Sequence, residues 1–250
     1  MCYKWAGICP LFYGEIELED KFKNAAAELG IELETDQTAK FIKYKECLKE
    51  GSRKVNLTAI KEDEEIMKLH FLDSIAVLAY CDFKGKSLCD VGSGAGLPGA
   101  ALKSAEDSIS LSMLECRQKR ADFLESLISE LELENSRVLP IRAEEADGEL
   151  RESFDIVISR AVADLRLLSE LTMHLVKKGG TMLAMKGPNP EAEIAAAEKG
   201  IELLGGRVEA VHEYILPWAE TGRSLIVIRK EKNTPKKYPR RFAQIKKNPL

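Results

Sequence analysis

Long apolar runs are missing from this sequence. No stretch approaches the ~20 residues that a membrane-crossing helix requires, so no membrane contact is expected. A metal-ligand pattern is missing too. The six cysteines, at 2, 9, 47, 81, 89 and 116, form no CxxC pair, and the three histidines, at 70, 174 and 212, are scattered. That spacing argues against a zinc site, and a chain of this length needs no disulfide framework. The cysteines therefore read as reduced thiols of a cytoplasmic protein. Met1–Gly14 is apolar with one lysine but lacks a small-residue cleavage site before Glu15, so it reads as an irregular leader rather than a signal peptide. No heptad repeat or obvious apolar patch marks an oligomer, and a monomer is expected.

What is present is apolar content sufficient for a full core, 45% of 250 residues. The formal charge of −4 conceals an asymmetry. Residues 229–250 carry nine Lys/Arg and one Glu, which leaves the rest of the chain at −12. A basic tail on an acidic body suits an anionic partner, and it equally suits a solubilising disordered end.

The chain is organised around Asp90–Gly99, DVGSGAGLPG, which follows the apolar run Ser87-Leu88-Cys89 and precedes Ala100-Ala101-Leu102. This is the context of a strand, a glycine turn and a helix. Glycines at 92, 94 and 96 permit positive φ and allow a ligand to approach bare backbone. The turn should deliver unpaired N–H groups at a helix start, where an anionic group is favoured. Asp90 should close the strand as an acceptor facing the same crevice. A glycine loop at the carboxyl end of a strand is the usual ligand position of open α/β sheets. Residues 94–99 also satisfy GxGxxG, which by itself is a weak signal.

Ahead of this turn, residues 15–84 read as a helical extension. Two amphipathic helices fill 15–50, the second opening near Thr35-Asp36, and Asn56-Leu57-Thr58 forms a polar break. A helical segment at 62–69 and another from His70 to Ala79 follow; His70 and Asp73, three apart, share a face, either to position substrate or simply to cap and pack. From 85 to 230 the period changes. Strands are expected at 87–91, 109–114, 137–141, 154–159, 180–185, 207–214 and 224–229, with helices at 98–105, 117–133, 163–177 and 190–204. Such alternation predicts a parallel sheet covered on both faces. Only a short loop separates the last two strands, so these should pair antiparallel. Residues 231–250 form the basic tail.

Glu115 ends the second strand, 23 positions after Gly92. An acidic residue there accepts hydrogen bonds from a ribose diol, whether of NAD or of an adenosyl-methionine cofactor; a strand-end carboxylate in water is the plainer reading. Arg142-Ala143-Glu144 follows the third strand, where an adenine ring would lie, and Ser159-Arg160-Ala161 follows the fourth at the crevice mouth.

The set DVGSGAGLPG, LEC, RAEE, FDIVISRA and LAMKG, with NLTAI and HFLDS upstream, resembles the 16S ribosomal RNA small subunit methyltransferase G family, also called glucose-inhibited division protein B. The similarity runs from about Glu15 to the end. It implies a Rossmann-like class I methyltransferase: a seven-stranded, mostly parallel sheet with an antiparallel terminal hairpin, using S-adenosylmethionine. The implied product is 7-methylguanosine in the decoding-region loop of small-subunit rRNA. Carried over by position, Gly92 and Leu97 match the family's cofactor-loop contacts, and Glu115, Cys116 and Arg117 its ribose-end segment. Ala143 and Glu144 match the adenine side, and Arg160 the arginine at the cleft mouth. Family members often carry Asp-Ser where this chain has Glu115-Cys116, and a basic residue where it has Leu69.

Guanine N7 offers a lone pair at neutral pH, so its methylation needs geometry and water exclusion rather than a base. Arg160 and Lys186, at the ends of the fourth and fifth strands, are candidates to hold the guanine or its phosphate; structural salt bridging is the rival reading. Lys43, Lys45, Lys49, Arg53 and the tail are candidates for phosphate contacts, or a solvated face. Two other functions remain. An NAD-dependent oxidoreductase would account for GAGLPG and Glu115, and a non-catalytic RNA-binding module would account for the basic tail.

Overall fold

The computed structural model describes residues 10–160 and 163–250. Most of the stretch read as a leader, and Ala161 beside Arg160, lie outside the described residues.

Helix α1 spans Pro10–Glu28, so the last part of that leader, from Pro10, is helical. α2 spans Thr35–Lys54. Its cap is Glu34, one residue before the expected position, with Gln37 Oε1 accepting the Glu34 N–H at 2.7 Å to complete a capping box. Phe22, Phe41, Phe71 and Tyr44 pack in series, tilted ring against ring, with centroids 4.8, 5.4 and 4.6 Å apart. α3 (Asp63–Ile66) runs through a π-helical turn at Met67–Leu72 into α4 (Asp73–Ile75) and a 3₁₀ turn at Ala76–Ala79. The two helical segments expected here thus form one rod. The π turn carries His70, Phe71 and Leu72 of the HFLDS motif, whose Asp73 and Ser74 open α4, and such turns gather at functional sites.

The remaining elements alternate in chain order: β1 (Ser87–Val91), α5 (Gly99–Ala105), β2 (Ser110–Leu114), α6 (Gln118–Glu130), β3 (Ser136–Leu139), β4 (Phe154–Arg160), α7 (Leu165–Thr172), β5 (Val176–Lys186), α8 (Glu191–Leu203), β6 (Gly206–Leu216), β7 (Thr221–Lys230) and α9 (Phe242–Lys247). The seven strands form one sheet in the order β3-β2-β1-β4-β5-β7-β6. β1 to β5 are parallel, whereas β7 is antiparallel to both β5 and β6. The antiparallel pair is as expected; that its second strand inserts beside β5 is a feature of the fold that loop length alone does not specify.

Both faces of the sheet are covered, which is why the central strands read as continuous apolar runs. Leu88, Leu111, Ile156 and Leu183 pack toward the N-terminal helices, α5 and α6. Cys89, Val157, Met182 and Ile228 point the other way, toward α7 and α8. α7 ends before the expected position near 177 because β5 already opens at Val176. There Gly180 lies so close to β4 that a Cβ would come within 2.7 Å of the Asp155 carbonyl oxygen.

The basic tail differs most from expectation. It is neither disordered nor detached: Thr234, Tyr238 and Ile245 are buried against the second face. Arg151 donates to the carbonyls of Tyr238 and Thr234, each at 3.0 Å. Arg240 meets the fully buried Glu170 through its backbone N–H, Nε and Nη2, at 2.9, 2.8 and 2.5 Å. Removing residues 232–250 would strip a part of the core.

Candidate active site

The site forms where the parallel strands end. In the turn after β1, Gly92, Gly94 and Gly96 adopt φ of +77°, +56° and +89°, so the expected left-handed backbone is present. A Cβ on Gly94 would meet nothing closer than 3.8 Å, leaving that backbone accessible. Gly96 is different: a Cβ there would lie 2.5 Å from the Tyr44 hydroxyl oxygen. Tyr44, fully buried on α2, donates to the Ala95 carbonyl at 2.7 Å, so the N-terminal extension clamps the glycine turn from behind.

Asp90 does close β1, but its carboxylate turns inward and is fully buried. Oδ2 accepts the Gly99 N–H at 2.9 Å, so the anion expected at the start of α5 is the protein's own side chain. Oδ1 is buried with no hydrogen-bond partner among the described residues. Burial pushes the carboxyl up to about 6, against the opposing hydrogen bond from Gly99.

Glu115 sits at the end of β2, nearly buried, and reaches back to the glycine turn. Oε2 accepts the Gly94 N–H at 3.1 Å and Oε1 the Arg117 N–H at 2.8 Å. These bonds fix the carboxylate's orientation beside the turn and leave lone pairs on both oxygens. Cys116 and Arg117 follow it at the exposed rim, and Leu97 is buried beneath the turn. After β3, Ala143 and Glu144 lie in a 3₁₀ turn, with Glu144 3.9 Å from Arg142.

Arg160 and Lys186 share a cleft of about 390 Å³ with Leu69, His70, Asp73, Met185, Gly187, Tyr214 and Arg223. Both cations are already engaged. Arg160 Nη1 donates to Asp73 Oδ2 at 3.1 Å and to the carbonyls of Leu69 and His70 at 3.1 and 3.3 Å. Lys186 Nζ bonds Glu193 and the Ala163 carbonyl, each at 2.6 Å. Asp73 also accepts from Arg223 Nε at 2.7 Å. His70 does not pair with Asp73; its Nε2 lies 2.6 Å from the Thr58 hydroxyl. Burial, and then the charge of Arg160, hold this imidazole down to about 4. Tyr44, Arg223 and Glu193 went unrecognised as site residues in the sequence. Asp73 was a candidate only through its spacing from His70.

Among the lysines expected to face phosphate, Lys45 is buried against Asp63 at 2.9 Å, and Lys49 shares that carboxylate at 2.5 Å. Lys43 pairs with Glu130 at 3.5 Å. This face of α2 is therefore internally neutralised, whereas Arg53 at its end is exposed. Among the described residues no three His, Cys, Asp or Glu side chains converge as metal ligands, and no helix is long and apolar enough to cross a membrane.

An inserted antiparallel strand separates this sheet from the six parallel strands usual for dinucleotide-binding domains. Its fold resembles that of a methyltransferase solved with the Trm112 activator of Haloferax volcanii. That match has a TM-score of 0.55 at 14% identity, over 76% of this chain and 98% of that one. Sequence relatives are nearer. A Clostridium botulinum (strain 657 / Type Ba4) protein called ribosomal RNA small subunit methyltransferase G is 41% identical over 94% of this chain and its own full length. A protein of the same name from Acetivibrio thermocellus is 41% identical over 94% of this chain and 98% of its own. One from Oceanobacillus iheyensis is 43% identical over 92% and 98%. The family model described as rRNA small subunit methyltransferase G matches residues 37–220, from within α2 to the tip of the β6–β7 hairpin. The chain belongs to the rRNA small subunit methyltransferase G family.

Proposed function

We propose that the protein methylates N7 of a guanine in the decoding-region loop of 16S ribosomal RNA, within the small subunit and in the cytoplasm. The observation that carries this reading is the hydrogen bond from the Gly94 N–H to Glu115, which joins the end of β2 to the glycine turn, while the pairing of β1 with β4 brings the strand that ends in Arg160 alongside it.

The residues present fit S-adenosylmethionine. The backbone of Gly92 to Leu97 would hold its amino-acid end, and the orphaned Asp90 Oδ1 is an acceptor buried under the same turn. Glu115 would take the ribose hydroxyls on the lone pairs its two backbone partners leave vacant, with Cys116 and Arg117 beside it. Ala143 and Glu144 would hold the adenine. When bound, the cofactor supplies an electrophilic methyl group on a sulfonium.

Everything else the chain must do is positional. Guanine N7 carries its lone pair in the plane of the ring at neutral pH, so no proton has to leave before attack. The cleft is consistent with that, because His70 is engaged by Thr58 and no proton transfer is assigned to it. Arg160 and Lys186 hold the splayed nucleotide against the methyl position, each fixed by its ion pair with Asp73 or Glu193. Holding the base in line and excluding water are the contributions that accelerate such a transfer.

Thermal unfolding with each cofactor tests the reading. S-adenosylmethionine should protect and NAD should not, and Glu115→Gln should weaken the protection by roughly 1–3 kcal/mol of binding energy. Protection by NAD alone would overturn it, and Arg160→Ala with unaltered methyl transfer would remove that residue from its role.

A further inference from the structure

Resting on that reading, we propose that Arg223 and Arg160, cross-linked by Asp73, form a clamp for one phosphodiester of the target nucleotide. The three residues come from the start of β7, the end of β4 and the start of α4, and they meet at the mouth of one cleft. Register explains why. Arg160 pairs with Met185 in β5, and Ser224, next to Arg223, pairs with Lys186, so both arginines stand at the carboxyl end of the parallel strands.

Asp73 sets their geometry. Its Oδ2 takes Arg160 Nη1 at 3.1 Å and its Oδ1 takes Arg223 Nε at 2.7 Å, and the carboxylate is nearly buried. Arg223 Nη1 also donates to the Gly222 carbonyl at 3.1 Å. Two long side chains are therefore held in one arrangement before any ligand arrives, which lowers the ordering cost of binding. Lys186 in the same cleft is neutralised by Glu193. One carboxylate against two guanidinium groups leaves a single positive charge, and each guanidinium keeps N–H groups without a partner among the described residues.

That surplus fits a phosphodiester better than it fits the base. Arginine commonly recognises guanine by donating to O6 and N7 together. Here N7 must keep its lone pair for the methyl group, so an arginine bonded to it would block the reaction. A phosphate oxygen is the anionic acceptor that the nucleotide can offer to this surplus charge without that conflict.

Equilibrium binding to small ribosomal subunits lacking the methyl group, measured across a salt series, tests this independently of turnover. Arg223→Ala is expected to weaken binding roughly tenfold and to reduce the slope of log affinity against log salt by about 0.7–0.9, one phosphate contact. Affinity for S-adenosylmethionine should not change, and in turnover the loss should fall on KM rather than kcat. Arg223→Lys keeps the charge and is expected to keep the slope. An unchanged slope in the alanine variant, or a slope lost equally in the lysine variant, would overturn the clamp. A normal slope change without methyl transfer by the wild-type protein would instead count against the proposed function and leave the clamp standing. Failure of the wild-type protein to bind subunits would overturn both.

Discussion

The two halves of the site are built in opposite ways. The cofactor half is a run of neighbours: Gly92, Gly94 and Gly96 turn within five residues, and Asp90 and Gly99 close the turn on itself at 2.9 Å. Its substrate half is assembled over long distances, with Asp73 meeting Arg160 across 87 positions and Arg223 across 150. Consecutive residues can encode a turn through local dihedral preferences. Charged side chains separated by half the chain are brought together only by the tertiary fold. The basic tail belongs to the second kind, since Arg240 finds Glu170 70 positions away.

The largest expected effect falls on a long-range pair. Arg240→Ala would leave Glu170 buried and unpaired, and urea denaturation should show a loss of about 3–5 kcal/mol. A change below about 1 kcal/mol would mean that the tail is the exposed arm its composition suggests, and the contrast between the halves would weaken.

Next comes the pH dependence contributed by Asp90. Its folded-state carboxyl is raised by burial to about 6, so between its unfolded value and about 6 the native state holds the extra proton. Stability from this group is full at low pH and is lost as pH rises through about 6, a change of roughly 2–3 kcal/mol. His70 and His174 act oppositely, each held by burial at about 4, and their contribution is lost as pH falls from 6.5 toward 4. The difference in unfolding free energy between wild type and Asp90→Asn isolates the aspartate: it should grow in favour of the variant from pH 4.5 to 7. A constant difference would place Asp90 in water rather than in the buried turn.

The smallest of the three is Gly96→Ala. A side chain there must adopt φ near +89° and displace the Tyr44 hydroxyl, for a cost of about 1–3 kcal/mol that denaturation should register. Gly94→Ala shares the positive φ, at +56°, but meets only ordinary van der Waals contact and should cost less. Equal costs would mean that the clamp from α2 does not constrain the turn.

These contrasts also explain what the sequence could convey. The alternation of strands and helices, the glycine turn and the Glu115 strand end were legible because each depends on spacing within a few residues. The insertion of β7 beside β5 was not, because the same short hairpin permits either order. Lys45 and Lys49 read as a solvent-facing basic stripe until Asp63, on a different helix, is seen to pair with both, and Glu46 with Lys45. Lys186 and Arg160 were legible as positions at strand ends, but their partners Glu193 and Asp73 were not, since nothing local to an arginine names its carboxylate.

The most direct measurement is transfer of labelled methyl from S-adenosylmethionine to small ribosomal subunits lacking the modification, followed by mapping of the labelled base. Label on N7 of one guanine in the decoding-region loop is the expected result. Label on another nucleotide would contradict the proposed target, and cofactor binding without label on subunits or free RNA would contradict the assignment of the cleft to this substrate.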